Sequence, residues 1–235
     1  MGNIDFCDGE TIMIYKDFKE AGVRLAETMQ DMHFENPLIL AVVWGGVEIG
    51  GEVSRKLGIP LDIIKPLKIS APGNPGVLIG AVAGAHEVYI DEELVGELDI
   101  SGEYLTKEIE NRKTEIAELE KYFREGFPPK SLTGRTLIIA DDGIATGATM
   151  IAAIKALRKA KPLSVVVAAP VANPESLKKI REAADDVICL QSPEDFSTVE
   201  GFYEKFIPTG REKIKEILSG SQLNTLNNQD LKTSS

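Results

Sequence analysis

The chain has 235 residues, enough for one α/β domain with an appendage. Its apolar fraction of 43% is ordinary for a globular core, and no apolar run reaches the about 18 residues that suggest a membrane span. A formal charge of −11 weighs against a nucleic-acid or anionic-membrane partner, which would need a basic stripe, yet it leaves room for a small anionic ligand.

The opening stretch MGNIDFCDGE has neither the basic and apolar segments of a signal peptide nor the Ser or Thr of a myristoylation signal. Cys7 and Cys189 are too few for a disulfide framework and lack CxxC spacing, so a reducing cytoplasm is expected. Residues 17–32 carry helical apolar spacing with Asp17 as N-cap. The run PLILAVV (37–43) has the near-continuous apolar character of a strand buried on both faces. After it the chain turns on Gly45-Gly46, continues as a helix to Gly58 and re-enters a strand over 59–65. A strand–turn–helix–strand succession of this kind predicts a parallel sheet.

From 66 to 100 Gly and Pro dominate, and the expectation is an irregular insertion with a small antiparallel element around 77–83 and 87–90. Residues 102–126 form a charged amphipathic helix with Leu105, Ile109, Ile116, Leu119 and Phe123 on its apolar side, and Arg112, Lys113 and Arg124 on a solvated face. The parallel pattern then resumes: strand 136–140, helix 149–160, strand 163–171, helix 173–184 with Asn173 as cap and Pro174 at its first position, and strand 187–191. EGFYEKF and GREKIKEIL read as short helices, and 219–235 as a polar disordered tail. His33 and His86 show no metal spacing.

One stretch carries chemistry. In IIADDGIATGAT (138–149) a buried strand ends in Asp141 and Asp142, and a loop of small and hydroxyl residues leads into a helix. Small residues such as Ala145, Gly147 and Ala148 let a ligand approach the backbone; Thr146 and Thr149 add hydroxyl donors, and the helix adds its N-terminal dipole. Together these make a site for one phosphate. There is no GxxxxGK[ST] loop and no GxGxxG fingerprint. Carboxylates repel phosphate, so the two acids must serve another part of the same ligand. Ionised carboxylates accept hydrogen bonds from vicinal diols and attract Mg²⁺ with its waters. A phosphate beside a diol and a metal describes a ribose 5-phosphate.

The stretch LIIADDGIATGATM resembles the 5-phosphoribosyl-1-pyrophosphate (PRPP) motif of the type I phosphoribosyltransferases. Over roughly residues 15 to 207 the chain is similar to a phosphoribosyltransferase-like subgroup of that family. The resemblance implies an α/β fold, a parallel sheet flanked by helices with a small irregular hood, in one domain over 1–218 whose hood and mobile cover span about 66–130. It implies transfer of the phosphoribosyl group from PRPP to a nitrogen acceptor such as a nucleobase, releasing pyrophosphate with Mg²⁺. A non-catalytic protein that binds PRPP or a nucleotide is the alternative. Asp141 and Asp142 would contact the ribose hydroxyls and the metal shell, and Ala145, Thr146, Gly147, Ala148 and Thr149 would bind the 5-phosphate. Trp44, Gly45 and Gly46 match the pyrophosphate loop, while Lys68, with Arg112 or Arg124, would face the leaving group. Relatives usually carry Arg before the two glycines; Trp44 stands there in this chain, which predicts weaker diphosphate binding. The implied partners are PRPP and a small-molecule acceptor, with no nucleic acid or membrane, and the implied assembly is a homodimer.

Overall fold

A computed structural model describes residues 12–84, 86–124 and 127–221. Cys7 and the stretch 222–235 lie outside the described residues. A five-stranded parallel sheet forms the centre, in the order β2-β1-β6-β7-β8: β1 (Pro37–Val42), β2 (Leu61–Ile64), β6 (Thr136–Ala140), β7 (Ser164–Val171) and β8 (Asp186–Gln191). Successive side chains of a strand point to opposite faces, so the near-continuous apolar runs bury both faces. Ile39, Ala41, Ile138 and Ala168 face α1 (Phe18–Met29) and α2 (Gly46–Leu57). Leu38, Leu40, Ile139 and Val167 face α5 (Ala148–Leu157) and α6 (Pro174–Ala183).

The predicted caps are present. Asp17 accepts from the Glu20 N–H at 2.9 Å, and Asn173 accepts from the Ser176 N–H at 3.1 Å ahead of Pro174. Each satisfies one of the donors that a helix start leaves orphaned.

The hood is more regular than its composition suggests. β3 (Leu67–Ala71), β4 (Asn74–Val82) and β5 (Val88–Ile90) form an antiparallel sheet, followed by the short α3 (Glu92–Glu97). Pro72-Gly73 makes the hairpin turn, with Gly73 at φ 73°. Ile69, Ala71, Ile79 and Val82 point inward against Ile116 of α4 (Gly102–Arg124), and this apolar face imposes the pairing that Gly and Pro obscure. The hood rides on α5: β3, β4 and β5 all contact it, and Lys155 Nζ lies 3.0 Å from the Tyr89 hydroxyl.

Two expectations for the end of the chain change. Only Glu200–Phe202 of EGFYEKF is helical, as a 3-10 turn. The backbone there pairs with Tyr15 instead: the Tyr15 N–H donates to the Phe202 carbonyl and the Glu204 N–H to the Tyr15 carbonyl, both at 2.8 Å. The second helix runs over 211–221, three residues into the segment expected to be a disordered tail.

Candidate active site

β6 ends at Ala140, and the next two residues sit at the carboxyl edge of the sheet, where ligands of open α/β folds bind. The Asp141 N–H donates to the Ala168 carbonyl at 3.2 Å, and the Asp142 N–H to Asp141 Oδ1 at 2.9 Å. Both side chains are half-buried. Desolvation, and then the neighbouring Asp142, holds the Asp141 carboxyl well above the usual carboxylate range. Desolvation likewise pushes Asp142 up to about 6. Two acids this close resist joint ionisation, and a cation would relieve the cost. The Tyr203 hydroxyl donates to the Asp142 carbonyl at 2.6 Å and fixes this corner from behind.

The loop beyond is held by α6. The Asn173 N–H donates to the Ile144 carbonyl at 2.8 Å, and Ser176 Oγ to the Ala145 carbonyl at 2.6 Å. In a trans peptide C=O and N–H point opposite ways, so tying these carbonyls to α6 turns the N–H groups of Ala145 and Thr146 away from it. Gly147, at φ 70°, adopts the left-handed geometry that opens α5, and a Cβ there would lie 3.2 Å from that of Ser176. The first-turn amides of α5, from Ala148 onward, lack intrahelical partners. Thr146 is exposed and Thr149 half-buried, and neither hydroxyl is hydrogen-bonded among the described residues. Amides and hydroxyls without partners thus follow one another along the loop from Ala145 to Thr149.

Beside it runs the turn after β1. Ala41 is in register with Ala140, which sets residues 43–46 against the two acids. The Val43–Trp44 peptide is cis. A Cβ built on Gly45 would collide with the Asp142 carboxylate, and one on Gly46 would lie 2.5 Å from the Ala140 carbonyl oxygen. Glycine is needed at both positions for this approach. Trp44 is half-buried, its ring 5.7 Å from that of Phe123 in an edge-to-face contact.

Of the cations expected at the leaving group, two are engaged elsewhere. Arg112 pairs with Glu108 at 3.1 Å and Glu115 at 3.6 Å. Arg124 is buried against Asp62 and also meets Glu120 at 3.3 Å. Asp62 accepts further hydrogen bonds from the Ile63 and Lys130 N–H groups, so Arg124 ties the end of α4 to β2 and is not a solvated residue. Lys68 is exposed on β3 and has no ion pair among the described residues. Sequence reasoning missed Ser176, because its service to the loop is tertiary, and Arg211, whose guanidinium carbon lies 5.9 Å from the centre of the Trp44 ring. Among the described residues no cluster of three or more His, Cys, Asp or Glu side chains could hold a metal ion, so any cation here depends on the Asp pair and on ligand oxygens.

A parallel sheet with loops gathered at its carboxyl edge defines the class of ligand-binding α/β folds, and comparison with known proteins gives the family. The model of the phosphoribosyl transferase domain matches residues 14–207, and the chain belongs to that family. TT1426 from Thermus thermophilus, a solved structure, is 33% identical, with a TM-score of 0.79 over 88% of this chain and 98% of that one. A provisionally named phosphoribosyl transferase of Mycobacterium tuberculosis is 28% identical over 205 residues, covering 87% of this chain and 46% of the relative. The chain thus spans about half the length of that relative. A uracil phosphoribosyltransferase of Mycoplasma genitalium is 32% identical over 71 residues, 30% of this chain and 34% of its own length.

Proposed function

We propose that this protein transfers the 5-phosphoribosyl group of PRPP to a nitrogen acceptor such as a nucleobase. The observation that carries the reading is the pairing of Asp141 and Asp142 with the loop of amides and threonines directly behind them. The loop, from Ala145 to Thr149, takes the 5-phosphate. The acids accept the ribose hydroxyls, and the turn at 43–46 takes the diphosphate beside them. The lone pair of the acceptor nitrogen forms a bond to C1 as the bond from C1 to the diphosphate oxygen breaks. Pyrophosphate leaves with that electron pair, and the nitrogen gives up its proton to water. Positive charge develops on the ribose, next to the half-buried acids that hold its hydroxyls.

The donor set fits Mg²⁺, which takes one or two carboxylates and completes its shell with phosphate and water oxygens. When bound, the ion neutralises charge on the leaving diphosphate. Lys68, exposed on the hood and without an ion pair among the described residues, is the hood cation free to approach the same group. The overall charge of −11 agrees with small-molecule partners, and no described helix is long and apolar enough to cross a membrane. Cytoplasmic action as a homodimer belongs to the same reading.

Trp44 favours a second reading, a protein that binds PRPP without turning it over. Pyrophosphate release from labelled PRPP, measured with Mg²⁺ across a panel of nucleobases, separates the two. Release that depends on a base supports transfer. Tight binding with no release under any base supports the sensor.

A further inference from the structure

Trp44 leaves the turn after β1 without a cation of its own, yet the fold brings one there from the far end of the chain. Arg211 begins the helix over 211–221. Its guanidinium carbon lies 5.9 Å from the centre of the Trp44 ring and 5.2 Å from that of Tyr122. The segment is pinned on both sides. Thr209 Oγ1 donates to Glu48 in the first turn of α2 at 3.0 Å, and the Tyr122 hydroxyl donates to Glu212 at 2.9 Å. Trp44 is itself braced by Phe123, and the whole arrangement walls a cavity of about 320 Å³ that also includes Lys65 and Glu115.

The wall carries two cations, Lys65 and Arg211, and two acids, Glu115 and Glu118. Lys65 is neutralised by Glu115 at 2.8 Å. Arg211 is exposed and has no ion pair among the described residues. An arginine laid on aromatic faces gives up little hydration, and the N–H groups along its edge stay free for a planar, two-pronged acceptor such as a phosphate. Trp44 directly precedes the glycines that abut Asp142 and Ala140, so the ring that carries this cation belongs to the residue next in the chain to the proposed diphosphate turn.

We propose that Arg211 contacts the diphosphate, supplying from a distant helix the charge that position 44 lacks, with Trp44 as its platform. The inference rests on the phosphoribosyl reading of the site and adds a residue to it. It also assigns the cation to one end of the ligand: Arg211 serves the diphosphate at C1 and not the 5-phosphate.

Calorimetry with PRPP, inorganic pyrophosphate and ribose 5-phosphate, each with Mg²⁺, tests this on the full chain. Arg211→Met should weaken PRPP and pyrophosphate about tenfold or more, the scale of a lost hydrogen bond to a charged group, and leave ribose 5-phosphate unchanged. Adding Trp44→Arg to that variant should restore the diphosphate affinity, a rescue that a merely structural role for Arg211 would not give. Thermal unfolding of Arg211→Met and of Arg211→Lys, which keeps the charge, checks that the fold is intact. If PRPP binds wild type and Arg211→Met equally, or if ribose 5-phosphate weakens in parallel, the proposal is overturned and the phosphoribosyl reading stands. Wild-type protein that binds none of the three ligands overturns both.

Discussion

In the loop that leaves β6 the chain supplies its own chemistry. Two acids, two threonines, a left-handed Gly147 and the start of α5 follow one another within nine residues, and Ser176 and Asn173 hold the loop from behind. The turn that leaves β1, against which it packs, supplies almost none. Gly45 and Gly46 contribute bare backbone, Trp44 contributes an aromatic face, and the nearby charge comes from Arg211. One half of the site is local in sequence and pre-formed, while the other is assembled by tertiary contact. In the proposed reading that difference becomes a division of labour, with firm capture of the sugar phosphate at one loop and adjustable capture of the diphosphate at the other.

Substitutions that strike one half and spare the other test that division. Thr149→Val should have the largest effect, weakening every 5-phosphorylated ligand by about 1.5–3 kcal/mol, with or without Mg²⁺, as titration calorimetry would read it. A loss confined to PRPP would break the division. Gly46→Ala forces a methyl against the Ala140 carbonyl, and thermal or denaturant unfolding should show about 1–3 kcal/mol of destabilisation, as for other overpacked sites. Gly147→Ala should cost about 1–2 kcal/mol of stability, the penalty for a side chain at positive φ, together with weaker ribose 5-phosphate binding. Unchanged unfolding in either glycine variant would show that the loops yield more easily than this packing implies. The smallest effect is expected for Trp44→Arg in the otherwise native chain. With Arg211 already beside the site, PRPP affinity should rise by less than about threefold, well under one charge-assisted hydrogen bond. A larger rise would mean that the diphosphate half lacks its cation after all.

The same contrast explains what the sequence discloses. The buried strands around Ile39, Ile139 and Val167 are legible because both faces are apolar, and the loop over 141–149 is legible because its parts are contiguous. The hood is harder, since its regularity comes from Ile69 and Ile79 packing on Ile116 of α4, a contact invisible among so many Gly and Pro residues. Arg124 looks like one more charge on a helix until Asp62, buried inside β2, claims it. Arg211 and Ser176 act on loops far from them in sequence, and no periodicity or motif marks either. Helical spacing in EGFYEKF gives way because Tyr15 offers its backbone a better partner.

The most direct test of the central claim, that the acids hold sugar and metal while the loop holds phosphate, is PRPP and ribose 5-phosphate binding to wild type and Asp142→Asn, with and without Mg²⁺, across pH. Asp142, pushed up to about 6, holds its proton more tightly in the folded chain than at its ordinary value of 3.8. Stability of the ligand-free protein should therefore fall as pH rises through that window. A metal competes with the same proton, so the gain that Mg²⁺ gives PRPP should fade as pH falls through about 6. Asp142→Asn should abolish that gain at every pH while ribose 5-phosphate still binds. If the variant keeps the full Mg²⁺ effect, or if wild type shows none at any pH, the acids do not do what this account assigns to them.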